Sequence, residues 1–148
     1  MFEKIVVGLD GSETSDKALR TACDLAQKYG SEIHLVHTPQ PKTVAFAMGA
    51  VAGYHTVTTM PNDEEVTKAA NMIIGRGKGI AQDYDLSAVK TYSHRGDPVE
   101  EIVACAEGCD ADLIVTGRRG LGSLGALIQG STAQGVAHNA KCACLTVA

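Results

Sequence analysis

The chain has 148 residues, of which 45% are hydrophobic and 20% charged; this indicates one folded domain with a sizeable core and excludes disordered and fibrous classes. The formal net charge of −4 argues against a general nucleic-acid binder or anionic-membrane binder, because these proteins need a basic face. No apolar run approaches the roughly 18 residues of a spanning helix and no signal peptide is recognised, so we expect a single cytosolic domain over residues 1–148.

The first part of the chain alternates between strand and helix patterns. Lys4–Leu9 is a β-branched run of the kind that is buried on both faces of a parallel sheet. From Ser15 to Tyr29 apolar residues recur at helical spacing, and Gly30 follows where a glycine commonly ends a helix. Ile33–Val36 predicts the second strand.

The next segment is less regular. Thr38–Met60 fits no period, and a connection of this length in a compact domain is typical of a functional loop. Its apolar stretch Ala45–Val51 fits a partner surface or a lid over a ligand as well as it fits a loosely packed loop. A helix is predicted from Pro61 to about Tyr84, although its interior glycines each disfavour a helix by roughly 1 kcal/mol relative to alanine. These glycines are Gly75, Gly77 and Gly79.

The second half of the chain returns to alternation. Ala88–His94 predicts the middle strand, after which Asp97 as N-cap and Pro98 at the first position open a helix that Gly108 closes. The remaining elements are a strand, a helix and a final strand over Asp112–Thr116, Ser131–Asn139 and Cys144–Val147. Alternation of this kind predicts an α/β fold with right-handed crossovers and a parallel sheet.

Two strand ends carry residues suited to an anionic ligand. Ligands of open parallel sheets bind beyond the carboxyl ends of the strands, where the strand order reverses. Gly8–Ser12 is a small, acidic, hydroxyl-bearing turn, and Gly117–Gly122 is a glycine-rich segment containing Arg118 and Arg119. Gly130–Thr132 then opens a helix, whose N-terminus supplies free donors and the positive end of a dipole. Together these segments predict a polyphosphate site.

Two common nucleotide motifs are matched only in part. Gly120–Gly125 fits G-x-G-x-x-G, but no acidic residue follows Asp112 to hold a ribose, so a dehydrogenase is not expected. Gly125–Thr132 differs from a Walker A loop because Ser131 stands where the lysine must be. Without that lysine the contact to the β- and γ-phosphates is lost, so a P-loop ATPase is not expected either.

A third spacing, Gly-x2-Gly-x9-Gly-Ser, is met by Gly117, Gly120, Gly130 and Ser131. With this spacing the sequence resembles the ATP-binding branch of the universal stress protein family, over nearly the whole chain. The other segments that carry the resemblance are Ile5–Ser12, Gly96–Pro98, Ala111–Gly117, Gly130–Thr132 and Leu145–Val147.

The resemblance implies an open five-stranded parallel sheet with helices on both faces, Rossmann-like and of the adenine nucleotide alpha-hydrolase type. It also implies a homodimeric stress-response regulator that binds ATP, with or without Mg²⁺, at the carboxyl edge of the sheet. Asp10 and its turn would lie near the nucleoside, the backbone around Val36 against the adenine, and the glycine-rich segments around the ribose and phosphates. The implied ligand residues are Asp10, Gly11, Ser12, Val36, Gly117, Arg118, Arg119, Gly120, Gly130, Ser131 and Thr132.

Several of these residues also have a purely structural interpretation. Asp10 is a candidate N-cap of the first helix, a role that Ser12 would fill equally well. Arg118 and Arg119 are as typical of solvated loop charge as of phosphate contact, because long side chains reorient freely. Each glycine taken singly fits an ordinary turn, whereas the spaced set together with Ser131 favours nucleotide binding.

Neither catalytic nor metal-ligand motifs are recognised in the sequence. No nucleophile–base pair, carboxylate pair or metal-ligand cluster occurs at motif spacing. His34 and His37 are three residues apart on a predicted strand and point to opposite faces, which favours structural histidines. The five cysteines form no Cys-x-x-Cys motif; Cys105 and Cys109 share one helix face, and packing of free thiols in a reducing cytosol is the favoured interpretation.

Three functions stay open on the sequence alone. The retained glycines favour an ATP-binding regulator over a dimeric interaction module with a vacant site. A slow ATPase or phosphotransferase would use the same site but needs a base that the sequence does not identify. The apolar, uncharged segment Cys142–Val147 ends the chain on a sheet edge, so we expect homodimerisation through it, with no nucleic-acid or membrane partner and a regulatory protein partner that stays unidentified.

Overall fold

The protein, represented by a computed structural model, is described over residues 1–49, 61–121 and 130–148. Within these ranges the strands are β1 (Lys4–Gly8), β2 (Glu32–His37), β3 (Val89–Ser93), β4 (Leu113–Gly117) and β5 (Ala143–Val147). The helices are α1 (Glu13–Tyr29), α2 (Pro41–Ala47), α3 (Asp63–Asp83), α4 (Pro98–Gly108) and α5 (Ser131–Asn139). The strands form one parallel sheet in the order β3-β2-β1-β4-β5, which confirms the predicted fold class.

The core lies on both faces of the central strand β1. Ile5 and Val7 belong to a cluster with residues of α1 and α3, whereas Val6 packs on the other face with Ile102 of α4 and Val136 of α5. All three β1 side chains are fully buried, which explains why this strand reads as a continuous apolar run. Among the described residues, no helix combines the length and the apolar composition needed to cross a bilayer.

The helix boundaries follow the capping residues of the sequence. The Ser12 side chain accepts a hydrogen bond from the backbone N–H of Ser15 at 3.2 Å and so caps α1. Gly30 ends the same helix with φ of 72°, in the left-handed region that favours glycine. Asp97 caps α4 by accepting hydrogen bonds from the N–H groups of its first turn. These predicted helix ends are therefore confirmed.

A short helix lies inside the segment Thr38–Met60, so the prediction of an irregular loop is wrong for the described part of it. Gln40 and Thr43 form a capping box at the start of α2, in which the Gln40 backbone N–H donates to Thr43 Oγ1 at 2.9 Å. The helix has 7 residues, which is too short for an apolar period to be recognised. Residues 50–60 lie outside the described part, and so does the end of the apolar stretch Ala45–Val51.

The order of the strands in the sheet differs from their order along the chain. β3 is the middle strand in sequence but lies at one edge, and β5 forms the other edge. Residues Ala143, Cys144 and Leu145 of β5 are exposed, and Leu145 keeps 36% of its surface accessible. An apolar, uncharged edge strand is therefore available to another chain.

α3 contains three interior glycines, and one of them, Gly77, is needed for packing against the sheet. A Cβ on Gly77 would lie 2.7 Å from Leu9 Cδ1 and 3.2 Å from Leu35 Cδ1, so α3 approaches the sheet more closely than a larger residue would allow. At Gly75 and Gly79 a Cβ would meet nothing within 4 Å. The sequence therefore contains one glycine required by the core and two that only reduce helix propensity.

We expect the substitutions Gly77→Val and Gly79→Ala to change stability in opposite directions. Gly77→Val should lower the free energy of unfolding by about 1–3 kcal/mol, because it overpacks the contact with Leu9 and Leu35. Gly79→Ala should raise it by up to about 1 kcal/mol, because it improves helix propensity in open space. Urea denaturation followed by circular dichroism measures both changes, and a Gly77→Val protein as stable as wild type would contradict the close-packing interpretation.

Candidate functional site

A cavity of about 570 Å³ opens at the carboxyl ends of β1, β2 and β4. The strand order reverses here, because β2 pairs with one side of β1 and β4 with the other. The loops after β1 and β4, the helix α2 and the N-terminal turns of α4 and α5 complete its walls. Its volume lies within the range of about 300–1,000 Å³ that small-molecule and cofactor sites occupy.

Most of the predicted ligand residues line this cavity. Those that do so are Asp10, Ser12, Val36, Gly117, Arg119, Gly120, Gly130, Ser131 and Thr132. Gly11 is not among the lining residues; its φ of 85° closes the turn after β1. Arg118 has an exposed side chain, and its backbone N–H donates a hydrogen bond to the Val147 carbonyl at 2.6 Å. The structure therefore brings the strand-end segments together, with Gly11 and Arg118 outside the cavity lining.

Asp10 connects the turn after β1 to the loop after β4. Its Oδ1 accepts hydrogen bonds from the backbone N–H of Ser12, at 2.9 Å, and from the Ser12 hydroxyl. Its Oδ2 accepts a hydrogen bond from the backbone N–H of Leu121 at 3.2 Å. The cap of α1 is Ser12, so the alternative reading of Asp10 as that cap is not what the structure has. Asp10 instead positions one wall of the cavity.

The glycines of the loop after β4 let it pack against the first turn of α1. A Cβ on Gly117 would lie 2.9 Å from the backbone carbonyl carbon of Thr14, and a Cβ on Gly120 would collide with the Asp10 carboxylate. The Thr14 hydroxyl also donates a hydrogen bond to the Arg119 carbonyl. The spacing of these glycines thus has a packing cause in addition to any contact with a ligand.

α5 begins at the cavity and has no side-chain cap from its own N-cap residue, Gly130. The Gly130 N–H donates to the Arg118 carbonyl at 2.6 Å, so this amide is used within the protein and does not serve a ligand. The N–H groups and hydroxyls of Ser131 and Thr132 follow at the cavity wall. The N-terminus of this 9-residue helix therefore directs its donors and its partial positive charge toward the cavity.

Thr38 and Lys42 are polar residues of the cavity that were not recognised in the sequence, whereas Arg119 was. Thr38 Oγ1 and Arg119 Nε are buried atoms without a hydrogen-bond partner among the described residues. Buried polar atoms without partners are rare, and at a cavity wall they indicate a place for a ligand or water. Lys42 adds a second positive charge to the lining. The pair Gln40-Pro41, typical of a helix start, was the available signal for this part of the wall.

Part of the cavity wall is apolar and is formed by one residue each from β2, the turn after β1 and α4. Leu9, Val36 and Ile102 line it with exposures of 6%, 3% and 4%. The Val36 carbonyl accepts a hydrogen bond from the Leu9 N–H at 2.8 Å, which extends the sheet hydrogen bonding to the cavity floor. The cavity thus combines an apolar surface around Val36 with a donor-rich wall beside β4.

Burial shifts the pKa values of His37, Cys23 and Cys105 toward their neutral forms. His37 is fully buried with Nδ1 2.9 Å from the Leu9 carbonyl oxygen, and burial lowers the pKa of this histidine below its ordinary value of 6.5. Burial raises the pKa of the Cys23 thiol to about 11 and that of the Cys105 thiol to about 12. Reactive cysteines have lowered pKa values, so neither thiol resembles a nucleophile.

The fold and the cavity define an α/β protein with an open parallel sheet and a site at its point of strand reversal. The model of the Universal stress protein family matches residues 1–148. Universal stress protein YxiE of Bacillus subtilis is 31% identical, with 99% of each chain covered. The chain belongs to the universal stress protein family, as its sequence motifs predicted.

Solved structures share the fold. A universal stress protein in complex with cAMP matches with a TM-score of 0.70 and 24% identity, covering 99% of this chain and 97% of the other. The universal stress protein from Archaeoglobus fulgidus in complex with dAMP matches with a TM-score of 0.66 and 23% identity, covering 98% and 97%. At this identity the likeness establishes the fold of the chain.

Proposed function

We propose that the protein binds ATP in the cavity between β1 and β4 and acts as a nucleotide-dependent regulator in a stress response. The observation that carries this proposal is the N-terminus of α5, which opens into the cavity beside Arg119. A helix N-terminus with an adjacent arginine is suited to phosphate oxygens. The cAMP and dAMP complexes of two relatives support an adenine nucleotide as the ligand class.

The two walls of the cavity would divide the ligand between them. Val36 and Ile102 offer an apolar surface to the adenine ring, and the unpartnered Thr38 hydroxyl lies in the same lining. On the β4 side, the N–H groups and hydroxyls of Ser131 and Thr132 would hold phosphates. Mg²⁺ would enter bound to those phosphates, because the Asp10 carboxylate already accepts hydrogen bonds at both oxygens.

Nucleotide extraction and calorimetric titration test this proposal. The protein as purified is denatured and the released nucleotides are identified by mass spectrometry; the emptied protein is then titrated with ATP, ADP, AMP and cAMP. We expect ATP to bind more tightly than AMP, because only ATP places a phosphate chain along the N-terminus of α5. Affinities weaker than about 1 mM for all four nucleotides, or equal affinity for ATP and AMP, would contradict it.

The same preparation distinguishes the two rival functions. Phosphate release from ATP is measured over hours with the protein in excess and in catalytic amounts. Turnover at ordinary enzyme rates, about 1–1,000 per second, would identify an ATPase instead of a regulator. A homodimer that binds none of the nucleotides would identify the interaction module with a vacant site.

A further inference from the structure

A group of metal-ligand side chains lies between β2 and α4. A ring nitrogen of His34 and the sulfur atoms of Cys105 and Cys109 all lie within 4.8 Å of one another. Cys105 lies in the last turn of α4 and Cys109 is its C-cap residue, so the C-terminal end of this helix presents both. None of these three residues lines the nucleotide cavity, so a ligand bound here is separate from the proposed nucleotide.

The spacing of the three ligand atoms is close to that of a tetrahedral site. Bonds of about 2.3 Å from zinc to sulfur and about 2.0–2.1 Å to nitrogen place tetrahedral ligands roughly 3.3–3.8 Å apart. The ligand atoms lie within 4.8 Å of one another, so side-chain rotations that move them by about an ångström bring them to tetrahedral spacing. Cys105 and Cys109 are half-buried, which leaves the group reachable from solvent.

The Glu32 carboxylate holds the imidazole of His34 through its Nε2 nitrogen. His34 is 1% exposed, and its Nε2 lies 2.6 Å from Glu32 Oε1, a carboxylate that Lys90 Nζ also contacts at 3.1 Å. A carboxylate only accepts hydrogen bonds, so Nε2 donates to Glu32, and in the neutral imidazole the lone pair is on Nδ1. In this tautomer the Tyr92 hydroxyl, 3.0 Å away, donates a hydrogen bond to Nδ1, and a metal ion bound at Nδ1 takes the place of this hydrogen bond. A histidine that donates its other N–H to a carboxylate is the usual arrangement around bound zinc.

We propose that His34, Cys105 and Cys109 bind a thiophilic divalent cation, with Zn²⁺ as the fitting ion. Two sulfur atoms and one imidazole nitrogen favour Zn²⁺ over Mg²⁺ and Ca²⁺, which take oxygen ligands. Each thiol gives its proton to solvent as its sulfur bonds to the metal. The fourth position is open to water or to the Tyr92 hydroxyl. Glu32 acts as a positioning residue through His34.

The test uses the full chain, reduced and freed of metal, titrated with Co²⁺ and then with Zn²⁺. We expect one equivalent of Co²⁺ to give a thiolate-to-cobalt charge-transfer band that one equivalent of Zn²⁺ removes. Cys105→Ser and Cys109→Ser should each weaken Zn²⁺ binding by at least about 100-fold and reduce the band, because each removes a direct ligand. Cys144→Ser is the matched control and should bind Zn²⁺ as wild type does.

Two further measurements distinguish a loss of the metal site from a folding defect and from a loss of nucleotide binding. Glu32→Gln should weaken Zn²⁺ binding about 10–100-fold while leaving the intensity of the cobalt band unchanged. Zn²⁺ should raise the melting temperature of wild type but not of Cys105→Ser, whereas ATP affinity should be equal in both. A wild-type protein without the band, or a Cys144→Ser variant that loses Zn²⁺ as Cys105→Ser does, would overturn the assignment.

Discussion

A Gly130→Val substitution is expected to weaken ATP binding by at least about 10-fold. Each charge-assisted hydrogen bond to a phosphate contributes about 1.5–3 kcal/mol, so the loss of two such contacts should weaken binding by about 100-fold. A Cβ at this position would lie 3.2 Å from the Arg118 carbonyl oxygen and 3.5 Å from Arg119 Cα. The further methyl groups of valine must push the loop after β4 away from the start of α5. The donors of α5 and the Arg119 side chain then no longer face the same phosphates.

The fold should survive this substitution. Gly130 has φ of −70° and ψ of 154°, an extended conformation that valine adopts without backbone strain. Gly75→Val is the matched control, because a Cβ there meets nothing within 4 Å and the position is exposed on α3. Calorimetric titration with ATP, with circular dichroism of each variant, measures the effect. Equal ATP affinity in wild type and Gly130→Val would mean that the junction of α5 with the β4 loop does not bind phosphates.

A Leu145→Lys substitution is expected to shift a wild-type homodimer to monomer, with a dimer dissociation constant raised at least about 100-fold. We propose that β5 pairs with its copy across a two-fold axis, because it is an edge strand whose residues Ala143–Val147 carry no charge. An unpaired lysine buried in such a contact costs several kcal/mol, and the symmetry places one in each copy.

Light scattering coupled to size-exclusion chromatography at several concentrations measures this shift. Met72→Lys is the matched control, because Met72 is 49% exposed on α3 and lies away from β5. It introduces the same charge in place of an exposed apolar side chain and should leave the dimer intact. A wild type that stays monomeric at high concentration, or a Leu145→Lys dimer as tight as wild type, would place the interface elsewhere or remove it.

Local sequence signals were sufficient for most of the elements of the fold. Ser12 and Asp97 as N-caps and Gly30 as the end of α1 act on the backbone within a few residues, so their effects are readable without the fold. α2 was missed because a helix of 7 residues presents too little of a period. Gly77 disfavoured the prediction of α3, because the sequence does not show that this glycine packs against Leu9, which is far away in the chain.

The sequence by itself determined the strand-end segments that line the cavity, since glycines, hydroxyls and arginines follow β1 and β4 at recognisable spacings. Only the tertiary structure decided how these segments are used. The strand order β3-β2-β1-β4-β5 brings Asp10 to Leu121 and directs the Gly130 amide to Arg118 instead of to a ligand. It likewise brings His34 of β2 to the two cysteines of α4. Such contacts join residues far apart in sequence, and their geometry follows from strand pairing and helix packing, which no local pattern encodes.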